Sequence, residues 1–400
     1  MLTNRKLRKA ILLSLIALLS ILGCDKMENE TPSSLMMPTS PSQSLLKSDI
    51  IAASGVTTST TGVPMIYLDA LVNPKLQSAN GVNSLGNVVG EGLPWDLTGA
   101  FLWSKQYGVK YLGTFGGERN FSMAFDINDL GQVVGWSLDP IRISHRAFLW
   151  SEKGGMVNLG TTEDQDDPDN PFSIAYAINN RGEIVGVTGG YAFLWTNKRG
   201  MMLLSTLQPY WKYSSASDIN DYGRIVGICL AYCCPSLYHA VLWTDLGDMR
   251  DLGTLKLHSQ ALGINNLGEV VGGSSDQENP FSERIGSENY NTVFSHSCVA
   301  FIWTEKNGMA QLPMLGGNAG CAHAINDRGQ VVGWSYTTEG KVHAYIWTSK
   351  NGIKDLGTLP GDGQSVAYGI NNLGQVVGCS MKMHEDGINV IRHAVIWTVK

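Results

Sequence analysis

The chain has 400 residues, of which 43% are hydrophobic and 16% charged, and its formal charge is −6 at pH 7. Phosphate backbones are held by clusters of Lys and Arg, so an acidic balance argues against nucleic acid as a partner. The length suits two or three ordinary domains or one large repeat domain.

Arg5, Lys6, Arg8 and Lys9 form a basic start, and Ala10 to Leu22 is a 13-residue apolar stretch. A spanning helix needs about 20 apolar residues, so this stretch reads as the hydrophobic part of a signal peptide. It ends at Ile21-Leu22-Gly23-Cys24, which resembles the bacterial lipobox. That resemblance implies removal of residues 1–23, lipidation of Cys24 and export. The mature protein would be anchored to a membrane of the cell envelope through its lipid, periplasmic or surface-facing. Losing residues 1–23 removes four basic residues and no acidic ones, which moves the formal charge from −6 to −10. Residues 24–61 are rich in Ser, Thr, Pro and Met, have little apolar surface to bury, and read as a flexible tether. A short docked element over Leu45 to Ala53 is the alternative.

From residue 62 to 400 one motif repeats. Its asparagine recurs at Asn83, Asn128, Asn179, Asn220, Asn265, Asn326 and Asn371. A glycine follows three residues later, from Gly86 to Gly374, and a second glycine four further, from Gly90 to Gly378. Next comes an apolar run ending in Trp103, Trp150, Trp195, Trp243, Trp303, Trp347 or Trp397, and then a leucine that four copies follow with glycine, as in Leu252-Gly253. Each copy predicts four strands. Strand a ends before the asparagine, and the Asn-x-x-Gly segment fits a turn whose side chain caps it and whose glycine takes positive φ. Strand b is the Val-Val or Ile-Val pair. Strand c, such as Ala147-Phe-Leu-Trp150, is apolar at consecutive positions and so expects cover on both faces. Strand d precedes that leucine.

Seven such units predict an all-β fold, a seven-bladed β-propeller of four-stranded blades. The last copy stops at Trp397-Thr-Val-Lys400 without a strand d, whereas Met65-Ile-Tyr-Leu68 looks like a strand d without a blade. The N-terminal strand is therefore expected to complete the last blade and hide two sheet edges. Loop lengths divide the ring into two faces. Tryptophan to strand d leucine is nine residues in the six copies that hold both, but second glycine to strand c alanine is 10, 12, 6, 13, 28, 11 and 16 residues. The a–b and c–d turns thus share a uniform face, and the b–c and d–a connections share a variable one, where adaptation for function is expected.

Units with Ile-Asn-Asn-x-Gly-x-Val-Val-Gly, with His239-Ala-Val, His343-Ala-Tyr and His393-Ala-Val, and with Asp-Leu-Gly-Thr-Leu resemble the HAF family of extracellular repeats. The resemblance implies architecture and an extracellular location; it brings no established activity. Gly99, Arg146, Tyr191 and Val299 stand where the family has histidine, which argues that the histidine is not catalytic.

The mature chain has six cysteines besides Cys24: Cys229, Cys233, Cys234, Cys298, Cys321 and Cys379. An even count in an exported protein predicts disulfides, with Cys229 to Cys233 or Cys234 and Cys298–Cys321 as the leading pairs. Glu163, Asp164, Asp166, Asp167 and Asp169 crowd one d–a connection. Ca²⁺ is the ion such a loop would take, but glycine-bearing ligand spacing is missing and the loop reads as solvated, so no cofactor is expected. The longest connection carries Tyr290 and Phe294. Signatures of nucleophilic serine hydrolases, zinc proteases and nucleotide-binding loops are missing. The expected function is a monomeric, non-catalytic binding or scaffold protein whose variable face holds an envelope protein or glycan. The alternative is a propeller enzyme acting on a glycan, sialidase-like or lyase-like.

Overall fold

A computed structural model describes residues 55–68, 76–92, 99–116, 121–141, 144–162, 172–206, 211–231, 237–244, 248–276, 297–384 and 390–399. They form seven antiparallel sheets arranged as a β-propeller; six have four strands in sequence order from a to d, and the seventh takes its strand d from the N-terminal part of the chain. In blade one these are Leu76–Val82, Val88–Gly92, Ala100–Ser104 and Gly108–Tyr111.

Ring closure follows the expectation. Pro64–Tyr67 pairs with Val390–Thr398, Met65 opposite Trp397 and Tyr67 opposite Val395. Val63 and Met65 pack on Leu356, Leu359 and Trp397, while Leu68 packs on Leu76 and Ile396. The N-terminal strand thus joins blades six, seven and one.

A fifth strand, Gly55–Thr58, extends this sheet by pairing with Pro64–Tyr67. It lies inside the stretch read as tether. The Thr-rich composition that suggested a linker is β-branched, and β-branched residues also suit an edge strand. The hairpin is closed by Ser59, whose backbone N–H donates to Val63 O (2.8 Å) and whose Oγ accepts from Val63 N (3.0 Å). Thr60 N–H then donates to Thr358 O at 2.9 Å, pinning the hairpin to blade six.

The two glycines of the motif answer to different demands. The turn glycines, Gly86 through Gly374, have φ between +67° and +81°, as a left-handed turn residue requires. The second glycines face a close approach instead. A Cβ at Gly90, Gly135, Gly186, Gly227, Gly272, Gly333 or Gly378 would lie 1.9–2.0 Å from a strand a carbonyl oxygen. That carbonyl is pushed in by a one-residue bulge in strand a of every blade, for example between Ala124 and Asp126.

Strand c is covered on both faces, as its continuous apolar run predicts. Phe101, Phe148, Phe193 and Phe301 are fully buried, as are Trp243 and Trp397. Each sits in a cluster shared with a neighbouring blade, so the core is a chain of inter-blade seams rather than one centre.

Candidate functional site

At the turn end, residues from all seven blades surround one axial cavity of about 190 Å³. Its frame is the repeated asparagine. Each Oδ1 accepts two N–H groups of its own turn, as when Asn220 receives those of Tyr222 (3.1 Å) and Arg224 (3.0 Å). Each Nδ2 donates to the backbone oxygen of the asparagine one blade on. These bonds run Asn83, Asn128, Asn179, Asn220, Asn265, Asn326, Asn371 and back to Asn83, at 2.9–3.1 Å. The asparagine caps its turn, as the sequence predicts, and it also closes a cyclic network that a single repeat does not reveal.

A second ring stands just outside the first: Ser84, Asp129, Asn180, Asp221, Asn266, Asp327 and Asn372. Backbone N–H of each donates to the side-chain Oδ1 of the next at 2.8–2.9 Å, for six of the seven boundaries. The seventh acceptor would be Ser84, which carries a hydroxyl in place of the carboxylate or amide. Acid and amide alternate around most of the ring, and Asn266 Nδ2 donates to both Asp221 Oδ2 and Asp327 Oδ2 at 3.2 Å.

Beneath lie two buried carboxylates. Asp218 Oδ2 accepts Ile264 N–H at 2.8 Å, and Asp126 Oδ2 accepts Ile178 N–H at 2.9 Å, each from the next blade. Burial raises the Asp218 pKa to about 7; the two N–H bonds work against this, and the charges of Asp126 and Asp221 add to it. Burial likewise raises Asp126, against its two backbone bonds and with help from Asp129. In the other five blades this position holds Gly81, Ala177, Gly263, Ala324 and Gly369. Five small residues and two aspartates at one repeat position were a readable signal that sequence reasoning missed.

The bulge residue of strand a contacts the neighbouring blade. Phe125 and Tyr176 meet at 5.4 Å, and His323 stacks on Tyr368 at 5.6 Å while its Nδ1–H donates to Ala367 O at 2.9 Å. Burial holds His323 neutral, lowering its pKa to about 4. Burial also pushes Tyr368 and Cys379 upward, and both sense Arg392 of blade seven and Glu91 of blade one.

The histidines of the repeat are tied down. His239 Nδ1–H donates to Asp251 (2.7 Å), His343 to Asp355 (2.8 Å) and His393 to Asp362 (2.9 Å). Burial alone would raise Asp251, but the His239 and Gly253 hydrogen bonds bring it below its ordinary value. Arg146, in place of histidine, bridges to Asp139 at 3.2 Å. These pairs fasten strand c to its surroundings, consistent with a structural role.

The disulfide expectation is corrected. Cys229, Cys298, Cys321 and Cys379 are buried and unbridged, and no disulfide occurs among the described residues. Cys298, Cys321 and Cys379 share one apolar cluster with Trp334, Val342, Val366 and Met381. At the repeat positions of Cys379 and Cys321 other blades hold Trp136, Met123 and Ile174, so these two cysteines fill space as small hydrophobes. Burial pushes the Cys229 thiol up to about 12, which leaves it unreactive. Cys24, Cys233 and Cys234, the acidic stretch Glu163, Asp164, Asp166, Asp167 and Asp169, and the pair Tyr290 and Phe294 lie outside the described residues. Among the described residues no group of three or more His, Cys, Asp or Glu is arranged to hold a metal ion.

No family model and no curated protein matches the chain. Among solved structures it is similar to a gluconolactonase from Xanthomonas campestris, at 9% identity over 86% of this chain and 94% of that one, with a TM-score of 0.38. TolB from Acinetobacter baumannii is similar at 11% identity over 90% and 86%, with a TM-score of 0.39. A puromycin hydrolase is similar at 11% identity and a TM-score of 0.47, where 82% of this chain spans 53% of the hydrolase. The neighbours thus include both enzymes and TolB, and at these identities the likeness concerns fold alone.

Proposed function

We propose that this protein is a lipid-anchored component of the bacterial cell envelope. It acts as a non-catalytic binding or scaffold protein, holding an envelope protein or glycan against its variable face. One observation carries the reading: the two ends of the same strands obey opposite rules. The turn end repeats one hydrogen-bond ring through all seven blades. The other end differs at each blade, with connections of 6 to 28 residues between second glycine and strand c alanine. A ring locked at one end loses little backbone entropy when loops at the other end take up a ligand. The lipobox-like Ile21-Leu22-Gly23-Cys24 and the HAF-like repeats support the location.

The test is to replace residues 277–296, and separately residues 163–169, with short turns. Partner capture from envelope extract should be lost while thermal stability stays near wild type. Mass spectrometry of the mature N-terminus should find an acylated Cys24. Capture that survives both replacements overturns the binding reading, and turnover of a glycan by purified protein replaces it with a propeller enzyme.

A further inference from the structure

The turn face carries a feature with no role in holding the ring together. The third residue of each Asn-x-x-Gly turn is Leu85, Leu130, Tyr222, Leu267 or Leu373 in five blades and arginine in two. These five are 62–73% exposed, and each stands two residues after an asparagine that lines the axial cavity. Turn positions favour small polar residues, so five large apolar side chains at one repeat position have no local cause. Single exposed apolar residues are ordinary on a surface, whereas a set repeated from blade to blade marks a surface that is covered.

At the cavity the charge is of one sign. Asp129, Asp221 and Asp327 line the mouth. Their hydrogen bonds come from backbone N–H and asparagine amides, and none of the three mouth carboxylates has a cationic partner among the described residues. Arg181, on the same face, is held by Glu183. The cavity, at about 190 Å³, is smaller than the about 300–1,000 Å³ of sites for drug-sized ligands, and suits one side-chain head.

We infer that the turn face is a second docking surface, which takes an extended segment of a partner protein bearing an arginine or lysine between apolar side chains. The cationic head enters the carboxylate-lined mouth, and the flanking residues cover the turn leucines. Charge decides between occupants. A second copy would bring two sets of mouth carboxylates together, and nucleic acid or a neutral glycan offers no cation. The inference does not depend on the variable face binding anything.

The test uses the full chain and a fluorescent peptide with one central arginine between leucines, read by anisotropy at low salt. Binding should weaken about tenfold or more in D129N/D221N/D327N and in L130S/L267S/L373S. The same peptide with a central glutamate should bind wild type about tenfold more weakly. The leucine variant changes exposed side chains only and should keep the wild-type melting temperature. Should the aspartate variant fail to fold, the leucine variant and the peptide exchange on wild type still decide. Equal affinity for the arginine and glutamate peptides, or binding undiminished in the variants, overturns the inference. So does a concentration-dependent dimer in sedimentation that L130S/L267S/L373S abolishes, which would assign the face to a second copy.

Discussion

At the turn end, each blade reaches the next through the same amide-to-carbonyl bond, seven times over. Toward the other end, the corresponding seam changes character around the ring. Ser122, Ser173, Ser214, Ser259 and Ser365 each accept the N–H of a strand c alanine in the preceding blade, at 2.9–3.0 Å. Gly320 stands in this place in blade six, where its own N–H donates to Cys298 O at 2.9 Å, and Gln77 stands there in blade one. A cyclic network leaves no member free to vary alone, because each asparagine is donor to one blade and acceptor for its own turn. A linear stitch between two strands can be rewritten locally. The turn end therefore sets the architecture, and the opposite end is where blades acquire individual chemistry.

The sharpest way to break this comparison is to open the ring itself. Deleting residues 55–68 removes Val63, Met65 and Leu68, all buried, and bares an edge of the closing sheet. The burial lost is worth about 5 kcal/mol or more, so cooperative unfolding should vanish in a denaturant titration. Next comes N220A, which forfeits two turn bonds and one inter-blade bond. It should cost about 2–4 kcal/mol by urea unfolding, and an effect under about 1 kcal/mol would show that the asparagine ring is not a structural lock.

A third test uses pH. The folded state favours protonated Asp218, whose pKa is raised from the ordinary 3.8 to about 7. Its contribution is fully present below pH 3.8 and is lost as pH rises toward about 7. D218N stays neutral throughout, so its stability relative to wild type should improve across that window and then level off. His323 and His145 act oppositely, each lowered from 6.5 to about 4, so their contribution is lost as pH falls through that range. Comparing the variant with wild type at each pH cancels this background. A gap that does not move with pH would mean that burial does not hold the carboxyl neutral. The smallest effect belongs to S259A, which loses its bonds to Ala240 N (2.9 Å) and Gly253 O (2.7 Å). With Gly320 at the same place one blade on, the cost should stay near about 1 kcal/mol.

What could be read in advance follows from the range of each interaction. The turn asparagine and glycine act within five residues, so their spacing announced the blades and their number. The tryptophan and strand c phenylalanines report burial by composition alone. The axial carboxylates could be read as two aspartates at a repeat position otherwise held by Gly or Ala, but their proximity could not, because Asp126 and Asp218 become neighbours only once the ring exists. The cysteines misled because parity was weighed above position. Set in repeat register, Cys379 stands where blades two and six have Trp136 and Trp334, which is a packing position rather than a bridging one. The strand Gly55–Thr58 was hidden by a composition that fits a linker and an edge strand equally well.

The joining of the first and last strands in one sheet also dictates when this molecule can fold. Thr60 meets Thr358 across 298 positions of chain, and Met65 meets Trp397 near the C-terminus. Until residues 390–398 have been made that pairing has no second strand, so blades assembled earlier during synthesis remain an open arc. Closure over so long a span is slow, since loop entropy is lost before the contact is gained. A chain that stops short of residue 390 would retain six complete blades and still fail to become a ring, with both of its terminal edges left available for pairing with other chains.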